Sequence, residues 1–129
     1  MANRTIEYNP VSESSVIAAK AAADIKSGVA VALTKDGVKL PAAGKIATGI
    51  AIPGDETIHE GDSLTIQIKG QGMWTAGGAF DAGDPLATDA EGLCKKATTG
   101  QYILAIALGS ATAKGDLVRV AVVHAGYSA

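Results

Sequence analysis

The 129-residue chain is short of the residues that most often carry chemistry. Its single cysteine, Cys94, rules out an internal disulfide and fits a reducing compartment. Its two histidines, His59 and His124, stand far apart, and neither has a second donor at metal-ligand spacing. The aromatic residues are Tyr8, Trp74, Phe80, Tyr102 and Tyr127, a poor supply for a module that stacks on sugars or flat ligands. Net charge is −2, and the Lys and Arg residues are scattered singly apart from Lys95-Lys96. No basic stripe is present to displace counterions, so nucleic acid is not an expected partner. No apolar run approaches the roughly 20 residues of a membrane span. The N-terminal Met1–Tyr8 lacks the apolar core of a signal peptide, so synthesis in the cytoplasm is expected.

Catalytic and cofactor motifs are missing as well. Ser12, Ser14 and Ser15 cluster without a nucleophile elbow. Gly70-Gln71-Gly72 lacks the third glycine of a dinucleotide fingerprint, and there is no Walker pattern. Asp81 to Asp84 lacks the spacing of a calcium loop. Two Gly-Asp pairs, Gly61-Asp62 and Gly115-Asp116, each precede a strand, where Gly and Asp form turns for backbone reasons. A hydrolase built on Asp62 and Asp116 has only their repeated placement in its favour. Cys94 reads as a small packed hydrophobe rather than a nucleophile. The expectation is therefore no enzyme, no cofactor and no metal.

What the chain does have is small residues and a repeat. Ala occurs 25 times and Gly 16 times. Val, Ile, Leu and Phe together number 29, a little above the level at which disorder becomes the default. A thinly packed subunit of this kind gains stability from a partner surface. Residues 28–68 and 83–122 carry the same punctuation in the same order. Gly28, Asp36-Gly37, Ile50-Ala51-Ile52 and Gly61-Asp62-Ser63-Leu64 meet Gly83, Glu91-Gly92, Leu104-Ala105-Ile106 and Gly115-Asp116-Leu117-Val118. Repeats that share turns share a backbone path.

Between the turns, the chain reads as short strands. Val29, Val31 and Leu33 alternate with small or polar residues, and Asp36-Gly37 marks a hairpin. Leu64, Ile66 and Ile68 alternate with Ser63, Thr65, Gln67 and Lys69, the mark of a half-buried strand. Tyr102 to Leu108 and Leu117 to Val123 repeat the plan. The expected fold is all-β, a small barrel or sandwich of two similar β-units. Residues 1–10 form an extended N-terminal arm, stopped at Asn9-Pro10, and 11–129 form one β domain. Residues 12–23 are open between a short helix, capped by Ser12, and a strand with a loop. Residues 70–82 read as a glycine-rich connector. Its Trp74 either fills the gap between the units or anchors an interface.

The sequence also resembles a known family. Asp24-Ile25-Lys26-Ser27-Gly28, Gly49-Ile50-Ala51, Glu60-Gly61-Asp62, Phe80 to Leu86 and Lys114 to Val120 are similar to the capsid decoration, or cement, proteins of tailed bacteriophages. The resemblance covers about residues 24–123. It implies a β-rich structural protein on the outer surface of the virion head, where it binds the major capsid protein and stabilises its lattice. It also implies a homo-oligomer, with a trimer favoured, and an arm that reaches the capsid. The arm residues are Asn3, Arg4, Thr5, Ile6, Glu7 and Tyr8, and such a segment can add a strand to an exposed sheet edge. The competing reading is a small-ligand or glycan-binding β-module of a phage fibre or adhesin.

Overall fold

The structure, a computed structural model, describes residues 14–52 and 57–129. The described residues contain no helix. Ten strands form two five-stranded antiparallel sheets, not closed into a barrel. The first sheet holds β1 (Val16–Lys20), β2 (Ala30–Thr34), β3 (Gly37–Lys39), β4 (Gly49–Ala51) and β5 (Ser63–Gln67), in the order β1-β5-β4-β2-β3. The second holds β6 (Gly70–Thr75), β7 (Pro85–Thr88), β8 (Cys94–Lys96), β9 (Tyr102–Ala107) and β10 (Leu117–Tyr127), in the order β6-β10-β9-β7-β8. The two orders are the same once five is added to each strand number. The expected all-β class is therefore observed, in its sandwich-like form.

This topology extends the repeat beyond its sequence landmarks. Within the described part of 12–23 the open choice falls to a strand, because Val16–Lys20 pairs along its whole length with β5, from Val16–Gln67 to Lys20–Ser63; Ser12 lies outside the described residues. The β-branched Val16 and Ile17 favour that pairing, and it overrides the helix preference of the alanines. Residues 70–75 likewise form a strand, β6, rather than a connector. Its glycines disguise it, but β6 occupies in the second sheet the place that β1 occupies in the first.

Backbone hydrogen bonds fix the correspondence residue by residue. Gly28 N donates to Ala51 O, as Gly83 N donates to Ala107 O. Ala21 N donates to Asp62 O, as Ala76 N donates to Asp116 O. Ile25 and Ile58 exchange two bonds, as do Phe80 and Ala111. These pairs correct one landmark. Ile50 and Ala51 correspond to Ile106 and Ala107, not to Leu104 and Ala105. The cause is an extra residue in the β7–β8 turn, where Thr88 pairs with Cys94, against Leu33 with Val38 in the first unit. An Ala-Ile-rich strand offers several matching registers by sequence, and only the ladder selects one.

The hairpin signal lands on the glycines. Gly37 and Gly92 take positive φ, 123° and 79°, while Asp36 and Glu91 do not. Gly supplies that conformation without steric cost. In the longer β7–β8 turn, the Asp89 carboxylate accepts from the backbone N–H of Glu91 and Leu93, both at 2.9 Å.

Two cores result. Val31, Val38, Ala51, Leu64 and Ile66 fill the first unit. Trp74, Leu86, Cys94, Leu104, Val118, Val120 and Val122 fill the second, and Ala30, Ala47 and Ile50 of the first unit join them. Alternation on β5 and β10 thus puts Leu64, Ile66, Val118 and Val120 inside, as the sequence pattern requires.

Candidate docking surfaces

Trp74 lies at the seam between the two sheets. Val118 directly opposite it faces the core, so Trp74 does too. Its indole N–H donates to Gly92 O at 2.8 Å, and the same carbonyl accepts Ala30 N at 2.7 Å. Thr75 N donates to Gly28 O, and Tyr102 N to Gly44 O, across the same seam. The side chain has no exposed surface, so it has nothing to offer a partner. Between the two roles open to Trp74, the buried, hydrogen-bonded indole occupies the internal one. The arm residues Asn3, Arg4, Thr5, Ile6, Glu7 and Tyr8 lie outside the described residues.

The titratable side chains are arranged for structure. Cys94 is fully buried and burial pushes its thiol up to about 12, which keeps it protonated and unreactive. Asp116 closes its turn. Its carboxylate accepts from Thr112 N at 2.9 Å, Ala113 N at 3.2 Å and the Thr112 hydroxyl at 3.1 Å. Those bonds, the one from Thr112 N first, hold its pKa below the usual carboxylate value. Asp62 makes the corresponding bond to His59 N at 3.2 Å. Both Gly-Asp pairs therefore act as turn formers, and they sit in separate units.

One polar cluster escaped the sequence reading. His124, on the irregular part of β10 between Val122 and Gly126, has φ of 48°. Its Nδ1 meets the Tyr102 hydroxyl at 2.6 Å and its Nε2 meets Ile68 O at 3.0 Å. Tyr127 packs edge-on against Tyr102 at 5.5 Å between ring centres. The Ile68 carbonyl needs an N–H donor, so the neutral ring carries its proton on Nε2 and accepts from Tyr102. Burial is the main reason the Tyr102 hydroxyl holds its proton to higher pH than usual. The cluster ties the tail of β10 to the link between the sheets. No motif announced it, since its members are 22 and 56 residues apart.

A cleft of about 260 Å³ lies between the units, with Asp24, Lys26, Leu40 and Glu91 in its lining. It is smaller than the usual ligand pocket. Its acids are engaged, Asp24 with Glu60 N at 2.9 Å and Glu91 with Lys114 Nζ at 3.2 Å. No aromatic ring lines it.

On β5 the outward side chains are Ser63, Thr65 and Gln67; on β10 the corresponding ones are Leu117, Arg119 and Ala121. Both faces mix polar and apolar residues: Ile52 is 42% exposed beside the first set, and Leu117 and Leu108 are 49% and 38% exposed around Arg119 in the second.

Comparison with known proteins turns this inert, surface-rich scaffold into a family member. The sequence pattern of the phage cement proteins matches residues 11–122.

The chain belongs to the phage cement protein family.

Membership makes it a structural protein of a phage virion, from a family that is in general not enzymatic. The cement fold seen here is similar to the solved structure of the head fiber gp8.5 N base in bacteriophage phi29. The TM-score is 0.70 at 17% identity, covering 88% of this chain and 98% of that one. At that identity the likeness is one of fold. No curated protein sequence matches this cement protein.

Proposed function

We propose that this protein binds the outer surface of a phage head as a homo-oligomer, with a trimer favoured, and stabilises the lattice of the major capsid protein. The observation that carries the reading is membership of the cement family over residues 11–122. The similarity in fold to a head fiber base supports a place on the head. Physically, the role asks for surfaces rather than a reaction centre. Symmetry lets several weak attachments act together through effective concentration.

In this reading Asn3, Arg4, Thr5, Ile6, Glu7 and Tyr8 form the capsid-binding arm, adding a strand to an edge of the capsid protein. Deleting residues 2–10 should weaken binding to undecorated heads at least tenfold, with circular dichroism and melting temperature unchanged. Full-strength binding by the truncated protein removes the arm from the account. A glycan-binding module is less well supported. Trp74, Phe80 and Tyr102 are buried, which leaves Tyr127 as the exposed aromatic ring among the described residues.

A further inference from the structure

Three separated parts of the chain meet at one corner of the molecule. Ser15 lies at the start of the described chain, and its carbonyl accepts Ile68 N at 2.8 Å. The carbonyl of the same Ile68 receives His124 Nε2 at 3.0 Å. The root of the arm, the link between the sheets and the tail of β10 are thus joined through one residue. His124 Nδ1 in turn takes the Tyr102 hydroxyl, and Tyr102 holds the ring of Tyr127 edge-on. Tyr127 is 61% exposed, more than any other large hydrophobic side chain among the described residues, and Val123 beside His124 is 45% exposed. A ring held from behind yet open to solvent suits a binding anchor, because it loses little freedom on contact. The positive φ at His124 agrees with this, since sparsely populated backbone conformations cluster at functional sites.

We propose that this corner, with Val123 and Tyr127 at its surface, is the folded part of the contact with the capsid protein. The occupant is indicated by where the arm leaves the domain. Tyr8, the last arm residue, is six residues before Ser14, so even a fully extended chain places it at most about 20 Å from the corner. A capsid surface that takes residues 3–8 therefore lies close to Ser15, and the side chains around Ser15 are the first to meet it. The opposite end of β1 is roughly 20 Å further away. There Ala21 bridges Val38, and Leu40 lies just beyond β3. A domain standing on its arm root turns Tyr127 toward the lattice and Leu40 away from it. Val123 offers the capsid an apolar contact, and Tyr127 offers a ring with a polar tip. The inference rests on the capsid-binding reading and its arm, and deepens it by adding a contact made by the folded domain.

The test uses the full chain and expanded, undecorated heads. Hydroxyl-radical footprinting compares each side chain in the free and the head-bound wild type. Tyr127 should lose most of its oxidation on heads, and Leu40, 42% exposed, should keep its own. Val123→Ser/Tyr127→Ser should bind heads roughly tenfold more weakly, the order expected for losing an interface anchor. Its circular dichroism spectrum and the mass of the free protein should match wild type. Leu40→Ser should bind like wild type. If the double variant does not fold, the footprint of wild type decides alone. Four results overturn the inference while capsid binding stands: Tyr127 equally oxidised free and bound, full-strength binding by the folded double variant, equal loss in Leu40→Ser, or a changed mass of the free variant, which assigns the corner to contacts between copies. Faster oxidation of Tyr127 in free protein lacking residues 2–10 also overturns it, because the arm then covers the corner itself. A wild type that binds no heads overturns the proposed function and this inference together.

Discussion

Single residues here do structural work, and their energetics follow from where they sit. Trp74 is the largest fully buried side chain and it also satisfies the Gly92 carbonyl. Trp74→Ala should cost about 3–5 kcal/mol in urea unfolding, a large share of a typical small domain's stability. Trp74→Phe keeps most of the packing and loses the N–H, so it should cost less. Asp116 gives a pH signature. Its folded pKa is lowered, so its contribution is present above the unfolded value of 3.8 and is lost as pH falls through the folded value. Acid titration of stability should therefore be flatter in Asp116→Asn than in wild type across that acidic window. An identical slope would show that the turn bonds do not favour the charged form. Cys94 should resist a thiol reagent at pH 8 in the native protein and react on unfolding, because burial keeps its thiol protonated.

At the scale of elements, turns and alternation were legible and ladders were not. The strands around Leu33, Leu64 and Val120 could be read because their apolar residues recur every second position. β1 and β6 could not, for opposite reasons. Alanines gave β1 a helical alternative, and Gly70 and Gly72 made β6 look like a loop. In both, pairing with a neighbour far along the chain decides the conformation, and local sequence does not contain that partner. The same limit misplaced the match of β4 to β9 by two residues. Close approach of strands also explains a glycine with no turn role. A Cβ on Gly49 would collide with the backbone O of Gln67 and lie 2.8 Å from Ile66 Cγ2. Gly49→Ala should therefore destabilise by about 1–3 kcal/mol, the range for overpacking. Gly109→Ala should be close to neutral, since its Cβ would meet Val118 Cγ1 at an ordinary 3.6 Å. Chemical denaturation of the two variants side by side checks the contrast.

For the whole molecule, the repeat has a sharper meaning than its turns gave it. It spans both five-stranded sheets from their first strands, and segments that looked unshared, at 16–20 and 70–75, are corresponding strands. The units differ in their outward side chains, Ser63, Thr65 and Gln67 on β5 against Leu117, Arg119 and Ala121 on β10. That difference could be glimpsed in the sequence, but which residues point outward depends on the ladder. The site residues of the arm rest on the family resemblance alone. A cement protein should act by adding contacts to a lattice that already exists. The most direct measurement mixes the purified protein with expanded, undecorated heads of its phage and follows their disruption by heat and chelator. Saturable binding to the head exterior, with disruption shifted to higher temperature, is the predicted result. Heads that bind none of the protein, or bind it with no gain in resistance, would contradict the account.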